Sequence, residues 1–119
     1  MKSVGVDIVE TTRIAESIAR FGERFLMRVY TNQELTYCNG RLGSLAARWA
    51  AKEAVAKALG TGIGDVSWQE IEVVNDEKLC PSIQLHGAAA NLAGELGISE
   101  IAISLSHTVD YAVAFVVAE

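Results

Sequence analysis

Ala46 to Gly64 reads Ala-Ala-Arg-Trp-Ala-Ala-Lys-Glu-Ala-Val-Ala-Lys-Ala-Leu-Gly-Thr-Gly-Ile-Gly. Alanine favours helix, so the spacing predicts a long helix running to about Leu59 and stopped by Gly60. It carries one carboxylate, Glu53, and three cations, Arg48, Lys52 and Lys57. Trp49, Glu53 and Lys57 stand at i, i+4 and i+8 and share one face, flanked by Ala46, Ala50 and Ala54. Glu53 sits where the helix is expected to be deepest, and a buried carboxylate needs a cation or a metal. Two readings stay open at this point. Glu53 and Lys57 form an ordinary surface pair, or they belong to a metal and phosphate site that a ligand completes. Asp7 supports the second, because it interrupts the alternating strand Ser3 to Glu10 among small and apolar neighbours, and Asp is disfavoured in strands. An exposed strand face is the competing explanation. Two isolated carboxylates suit magnesium, which takes one or two of them together with waters and substrate phosphate oxygens. Lys57 and Arg48 would then neutralise phosphate charge that the metal does not reach. Ser104-Leu105-Ser106-His107 puts hydroxyls and an imidazole at a hairpin end. No glycine-flanked nucleophile pattern surrounds either serine, so His107 reads as a turn residue or phosphate donor. His86 shows no partner.

The elements that must position these residues follow from periodicity. In Ser3 to Glu10, Val4, Val6 and Ile8 point one way while Gly5, Asp7 and Val9 point the other. Thr11 or Thr12 is placed to cap a following helix, whose apolar stripe is Ile14, Ile18, Phe21 and Phe25, with Gly22 as a mid-helix break. Arg13, Arg20, Arg24 and Arg28 make a basic stripe beside it, complementary to phosphates or acidic proteins. Thr31-Asn32-Gln33-Glu34 is a capping-box pattern for a short helix ending near Asn39-Gly40. Gly43-Ser44 precedes the alanine-rich helix. Val66 to Val74 and Pro81 to Leu85 read as strands around a turn at Asn75 to Lys78, and Gly87 to Leu96 as a helix. Ser99 to Ser106 and Tyr111 to Val117 read as an antiparallel hairpin. The expected fold class is α+β: a small, mostly antiparallel sheet with the long alanine-rich helix packed on it, in one domain spanning 1–119.

Composition bounds the function. Residues 1–57 hold nine of the ten Lys and Arg against six acids, and residues 58–119 hold one base against nine acids, for a net charge of −5. The asymmetry suggests that the basic half faces an anionic partner, with chance unevenness in a short chain as the competing explanation, while the acidic total and 7% aromatic content argue against nucleic acid. The longest apolar run, Tyr111 to Ala118, is far short of the roughly 20 residues that span a membrane. Lys2 and Asp7 place charge where a signal peptide needs apolar residues, and Cys38 and Cys80 read as free thiols, so a cytoplasmic protein is expected.

Three blocks together resemble a known family. They are Gly5-Val6-Asp7-Ile8-Val9 with Arg13-Ile14; Ala47-Arg48-Trp49-Ala50-Ala51-Lys52-Glu53-Ala54 with Lys57 and Gly60-Thr61-Gly62-Ile63-Gly64; and Ser104-Leu105-Ser106-His107 with Tyr111-Ala112-Val113-Ala114. Thr31-x-x-Glu34 and Ile71-Glu72-Val73 fit between them. Nearly end to end, the chain resembles the holo-acyl-carrier-protein synthases, the short bacterial type of phosphopantetheinyl transferase. Departures are Trp49 where Phe is commoner, Glu70 where Asp is usual, and Lys78-Leu79-Cys80-Pro81 where a Gly-Lys-Pro turn is frequent. The resemblance implies transfer of 4′-phosphopantetheine from coenzyme A to a serine of apo-acyl carrier protein, in fatty acid biosynthesis. It implies magnesium on Asp7 and Glu53, Lys57 on the pyrophosphate, and Arg48, Gly60 and His107 near the coenzyme A phosphates. It further implies a homotrimer with sites between subunits, and an acidic carrier docked on Arg13, Arg20, Arg24 and Arg28.

Overall fold

Alternation in the first residues produces a strand with the predicted limits, β1 (Ser3–Glu10), in the computed structural model, which describes residues 2–119. Its buried side is the small one. Gly5 and Val9 are buried with Asp7 half-buried between them, whereas Val4, Val6 and Ile8 are 60%, 53% and 64% exposed. The reason lies in the helix that covers it. In α4 (Leu42–Ala58) the residues Ala46, Ala47, Ala50, Ala51, Ala54, Ala56 and Ala58 are all buried. Methyl side chains let the helix axis come close to the sheet, and a side chain on Gly5 would collide with the carbonyl of Ala54.

The sheet beneath α4 is completed from the C-terminus. β4 (Ile101–His107) and β5 (Tyr111–Ala118) form the predicted hairpin, and the strand order is β1-β5-β4, antiparallel throughout. Ala112, Ala114, Val116 and Ala118 of β5 face the helix and are buried. In register, Asp7 lies opposite Ala114, and His107 opposite Ala112. A second sheet pairs β2 (Ile71–Asn75) with β3 (Pro81–Leu85), so the α+β class stands with two small sheets in place of one.

The remaining helices are α1 (Thr11–Phe21), α2 (Glu23–Val29), α3 (Asn32–Cys38) and α5 (Gly87–Glu95). Gly22 makes the expected break, at φ 57°. Three local expectations are corrected. Neither Thr11 nor Thr12 caps α1, because Glu10 holds the cap position and the buried Thr11 hydroxyl donates instead to Val109 O at 2.6 Å. The alanine-rich helix begins before Gly43-Ser44 and includes both; Arg41, just ahead of it, donates to the C-terminal carbonyls of α3, from Nε to Cys38 O at 3.0 Å and from a terminal nitrogen to Tyr37 O at 2.6 Å. Val66 to Val74 is not one strand. Ser67 and Glu70 form a second capping box, with Ser67 N–H donating to Glu70 Oε1 at 2.7 Å, which winds Trp68–Glu70 into a 3-10 turn before β2 starts. No helix among the described residues is long and apolar enough to cross a membrane.

Candidate active site

The strand β1 and the helix α4 bring three of the predicted residues together. Lys57 Nζ donates to Asp7 Oδ1 and to Val6 O, both at 3.0 Å. No Glu53–Lys57 ion pair forms among the described residues, so the simple helix-pair reading fails. Glu53 is also less deep than its central position suggests. It is half-buried, while its neighbour Lys52 is fully buried and donates to Glu34 Oε1, Trp68 O and Ile71 O at 2.8, 3.0 and 2.6 Å. Burial raises the Glu53 carboxyl above its ordinary range, and the Asp7 charge raises it further, against the opposing pull of Lys57 and Arg13. The two carboxylates therefore repel one another across the β1–α4 seam.

This arrangement fits a divalent cation. Asp7 Oδ2 is buried and accepts no hydrogen bond. A carboxylate oxygen out of water without a donor is costly, and a cation relieves both that cost and the repulsion from Glu53. Among the described residues no cluster of three or more His, Cys, Asp or Glu forms a metal cage. Two carboxylates leave most coordination positions to waters and ligand oxygens, the pattern of magnesium rather than of a structural zinc site.

Arg48 and His107 meet elsewhere. Arg48 precedes Glu53 by five residues, roughly 7–8 Å along the helix axis and about 140° around it. It is only 3% exposed, lies 4.2 Å above the Tyr37 ring, donates from a terminal nitrogen to Asn75 Oδ1, and leaves Nε without a partner. No ion pair neutralises this guanidinium among the described residues. It lines a cleft of about 200 Å³ with Tyr37, Ser44, Asn75 and His107. A buried cation facing a cleft without an acid is built for an anionic ligand. Tyr37 and Asn75 escaped the sequence reading. Asn75 looked like a turn residue, and only its place at the end of β2, with Nδ2 donating to Leu79 O at 3.0 Å, makes it a support for Arg48.

Gly60 ends α4 with φ 79° and has open space where a side chain would be. The basic stripe divides. Arg24 and Arg28 line a cleft of about 240 Å³ with Phe21 and Phe25, and Arg20 lies over the Phe21 ring. Arg13 stands over Trp49 at 5.4 Å, within electrostatic reach of Glu53. His86, read without a partner, has Nε2 3.0 Å from Glu72 Oε1.

Comparison with known proteins identifies the family. Residues 3–116 match the model of the 4′-phosphopantetheinyl transferase superfamily. A holo-[acyl-carrier-protein] synthase of Herpetosiphon aurantiacus is 50% identical, over 98% of this chain and 98% of the relative. The crystal structure of the Neisseria meningitidis synthase superposes with a TM-score of 0.90 at 40% identity, covering 98% of this chain and 97% of that one. That of the Helicobacter pylori synthase in complex with coenzyme A also reaches 0.90, at 33% identity, covering 98% and 99%. With its fold and nearly its whole length matched, the chain belongs to the 4′-phosphopantetheinyl transferase superfamily, among the holo-[acyl-carrier-protein] synthases.

Proposed function

We propose that this chain transfers the 4′-phosphopantetheine group of coenzyme A to a serine of apo-acyl carrier protein, with magnesium held by Asp7 and Glu53. The observation that carries the metal assignment is the buried, unpartnered Asp7 Oδ2, with Glu53 within electrostatic reach and Lys57 bonded to the other Asp7 oxygen. Bound there, magnesium supplies positive charge to the pyrophosphate of coenzyme A.

The chain's own residues do the positioning. Lys57, 52% exposed at the side chain, swings within reach of pyrophosphate oxygens and stabilises leaving-group charge. Arg48 and His107 take the phosphate of the adenosine end in their cleft, where the uncompensated guanidinium has no other anion. Gly60 keeps the end of α4 open to approach by phosphate or by a neighbouring subunit. The carrier's serine oxygen attacks the β-phosphorus, the bond to the bridging oxygen breaks, and adenosine 3′,5′-bisphosphate departs with the electron pair; the serine's proton is released. Arg20, Arg24 and Arg28, with Phe21 and Phe25 between them, offer an acidic helix both charge and apolar contact, and Arg13 carries that surface to the edge of the Glu53 site.

Self-association as a homotrimer belongs to the same reading. The outer face of the three-stranded sheet exposes Val4, Val6, Ile8 and, from β5, Phe115 at 47%. Such a patch suits burial against another copy. Because Arg48 and Glu53 face different ways on one helix, a site assembled between subunits lets one coenzyme A reach both kinds of group. The reading makes the protein a cytoplasmic one serving fatty acid biosynthesis.

The test is to incubate the protein with coenzyme A and apo-acyl carrier protein, with magnesium or with a chelator, and weigh the carrier. A magnesium-dependent gain of one phosphopantetheine supports the proposal. Coenzyme A binding without any gain would make the chain a binding module, and no binding at all would leave a scaffold.

A further inference from the structure

Gly43 lies in the first turn of α4, where glycine is a poorer helix former than alanine. Its backbone does not explain it, since its φ is not positive. Its neighbour does. A methyl group built on Gly43 would stand 2.5 Å from His107 Nδ1, 2.6 Å from Cε1 and 3.2 Å from Cγ. The imidazole thus lies directly on the helix at the one residue of that turn without a side chain. Ser44 and Arg48 of the same helix line the cleft that His107 enters. The His107 backbone is fixed in the β4–β5 hairpin opposite Ala112, so a collision at Gly43 is relieved by rotating the ring.

We infer that Gly43 is a positioning residue: the absence of a side chain there seats the His107 imidazole in the Arg48 cleft and so sets affinity for a phosphate group of coenzyme A. The inference rests on the reading of that cleft as a phosphate site. A methyl group at position 43 improves the intrinsic helix preference while expelling the ring, so stability and ligand affinity should move in opposite directions. A merely structural glycine gives no such split.

Isothermal titration of coenzyme A at fixed magnesium, on the full chain, tests it with Gly43→Ala, His107→Ala and the double variant, beside thermal unfolding of each. Losing one hydrogen bond to a charged phosphate weakens binding by about tenfold. The expected result is that Gly43→Ala weakens binding to the same degree as His107→Ala, that the double variant is no weaker than either, and that the Tm of Gly43→Ala equals or exceeds that of the parent. Weakening by His107→Ala with none by Gly43→Ala overturns the role of Gly43 and leaves the phosphate site standing. Additive losses in the double variant also overturn it, since the effect then does not pass through His107. Full affinity in His107→Ala removes the phosphate reading of His107 and the inference with it.

Discussion

Lys57 shows how a surface-spaced residue differs from a surface pair. Its ammonium leaves the helix partner that i, i+4 spacing offers and bonds across to β1, at Asp7 Oδ1 and Val6 O. The contact is half-exposed, so it adds little to stability, under about 1 kcal/mol. In the role proposed for it on leaving-group charge, losing one such donor costs about 10²–10³-fold in kcat. Lys57→Ala should therefore lower kcat by that factor while leaving the urea midpoint nearly unchanged; a drop in midpoint with activity preserved would contradict the role. Arg48 and Lys52, both buried cations, divide just as sharply. Lys52 has a carboxylate and two carbonyls, whereas Arg48 has an amide, an aromatic face and a free Nε. The fold satisfies the first and leaves the second without a charged partner among the described residues.

At the scale of elements, the deepest polar contacts join α3, α4, the 3-10 turn and β2. Glu34 Oε1 accepts from Lys52 Nζ at 2.8 Å and from Thr31 N–H at 2.9 Å, and its Oε2 accepts from Val73 N–H at 3.0 Å. Removing the cation strands a buried carboxylate, so Lys52→Ala should destabilise the fold by about 3–5 kcal/mol in urea unfolding, and a change below about 1 kcal/mol would refute the pairing. Glu72 extends the network, accepting from the Thr31 hydroxyl at 2.5 Å and pairing with His86 at 3.0 Å. Burial alone would raise its carboxyl, but the Thr31 and His86 hydrogen bonds and the charges of His86 and Lys52 outweigh that and hold it below the ordinary 4.5. A lowered carboxyl stabilises the fold above the unfolded-state value and loses that contribution as pH falls through the folded-state value. Glu72→Gln should therefore flatten the loss of stability below about pH 4.5, and an unchanged slope would count against the network. Little of this was legible beforehand. Alanines line the helix on nearly every side, so periodicity could not tell that Lys52 is buried and Glu53 half-open. The Thr31 capping box was legible because its signal is local; the Ser67–Glu70 box, equally local, is masked by the Val66, Trp68, Ile71, Val73 and Val74 pattern that reads as one strand.

For the molecule as a whole, the meeting of Asp7 with the alanine-rich helix was implied only by the family resemblance, whereas β1 and the β4–β5 hairpin were legible from alternation. Which side of β1 is the inner one was not, because its more apolar side, Val4, Val6 and Ile8, is the outer. Helix proximity decided it, by demanding Gly5 against Ala54. That outer side is where self-association should act. Val6→Glu places a charge in the patch and should shift the mass in light scattering to smaller species with helical circular dichroism retained; an unchanged mass, or a parent protein that is already monomeric, would contradict the assembly. The charge asymmetry also takes form here, with the arginine-bearing α1 and α2 supplying the basic surface that the overall charge of −5 conceals. Central to the proposed function is that Asp7 and Glu53 jointly hold the cation on which transfer depends. It is tested most directly by following carrier mass during a magnesium titration of Asp7→Asn, a variant that keeps the side-chain shape and removes the charge. Turnover reduced by roughly 10²-fold or more with a raised magnesium requirement is expected; parental turnover at parental magnesium would contradict a metal-holding Asp7.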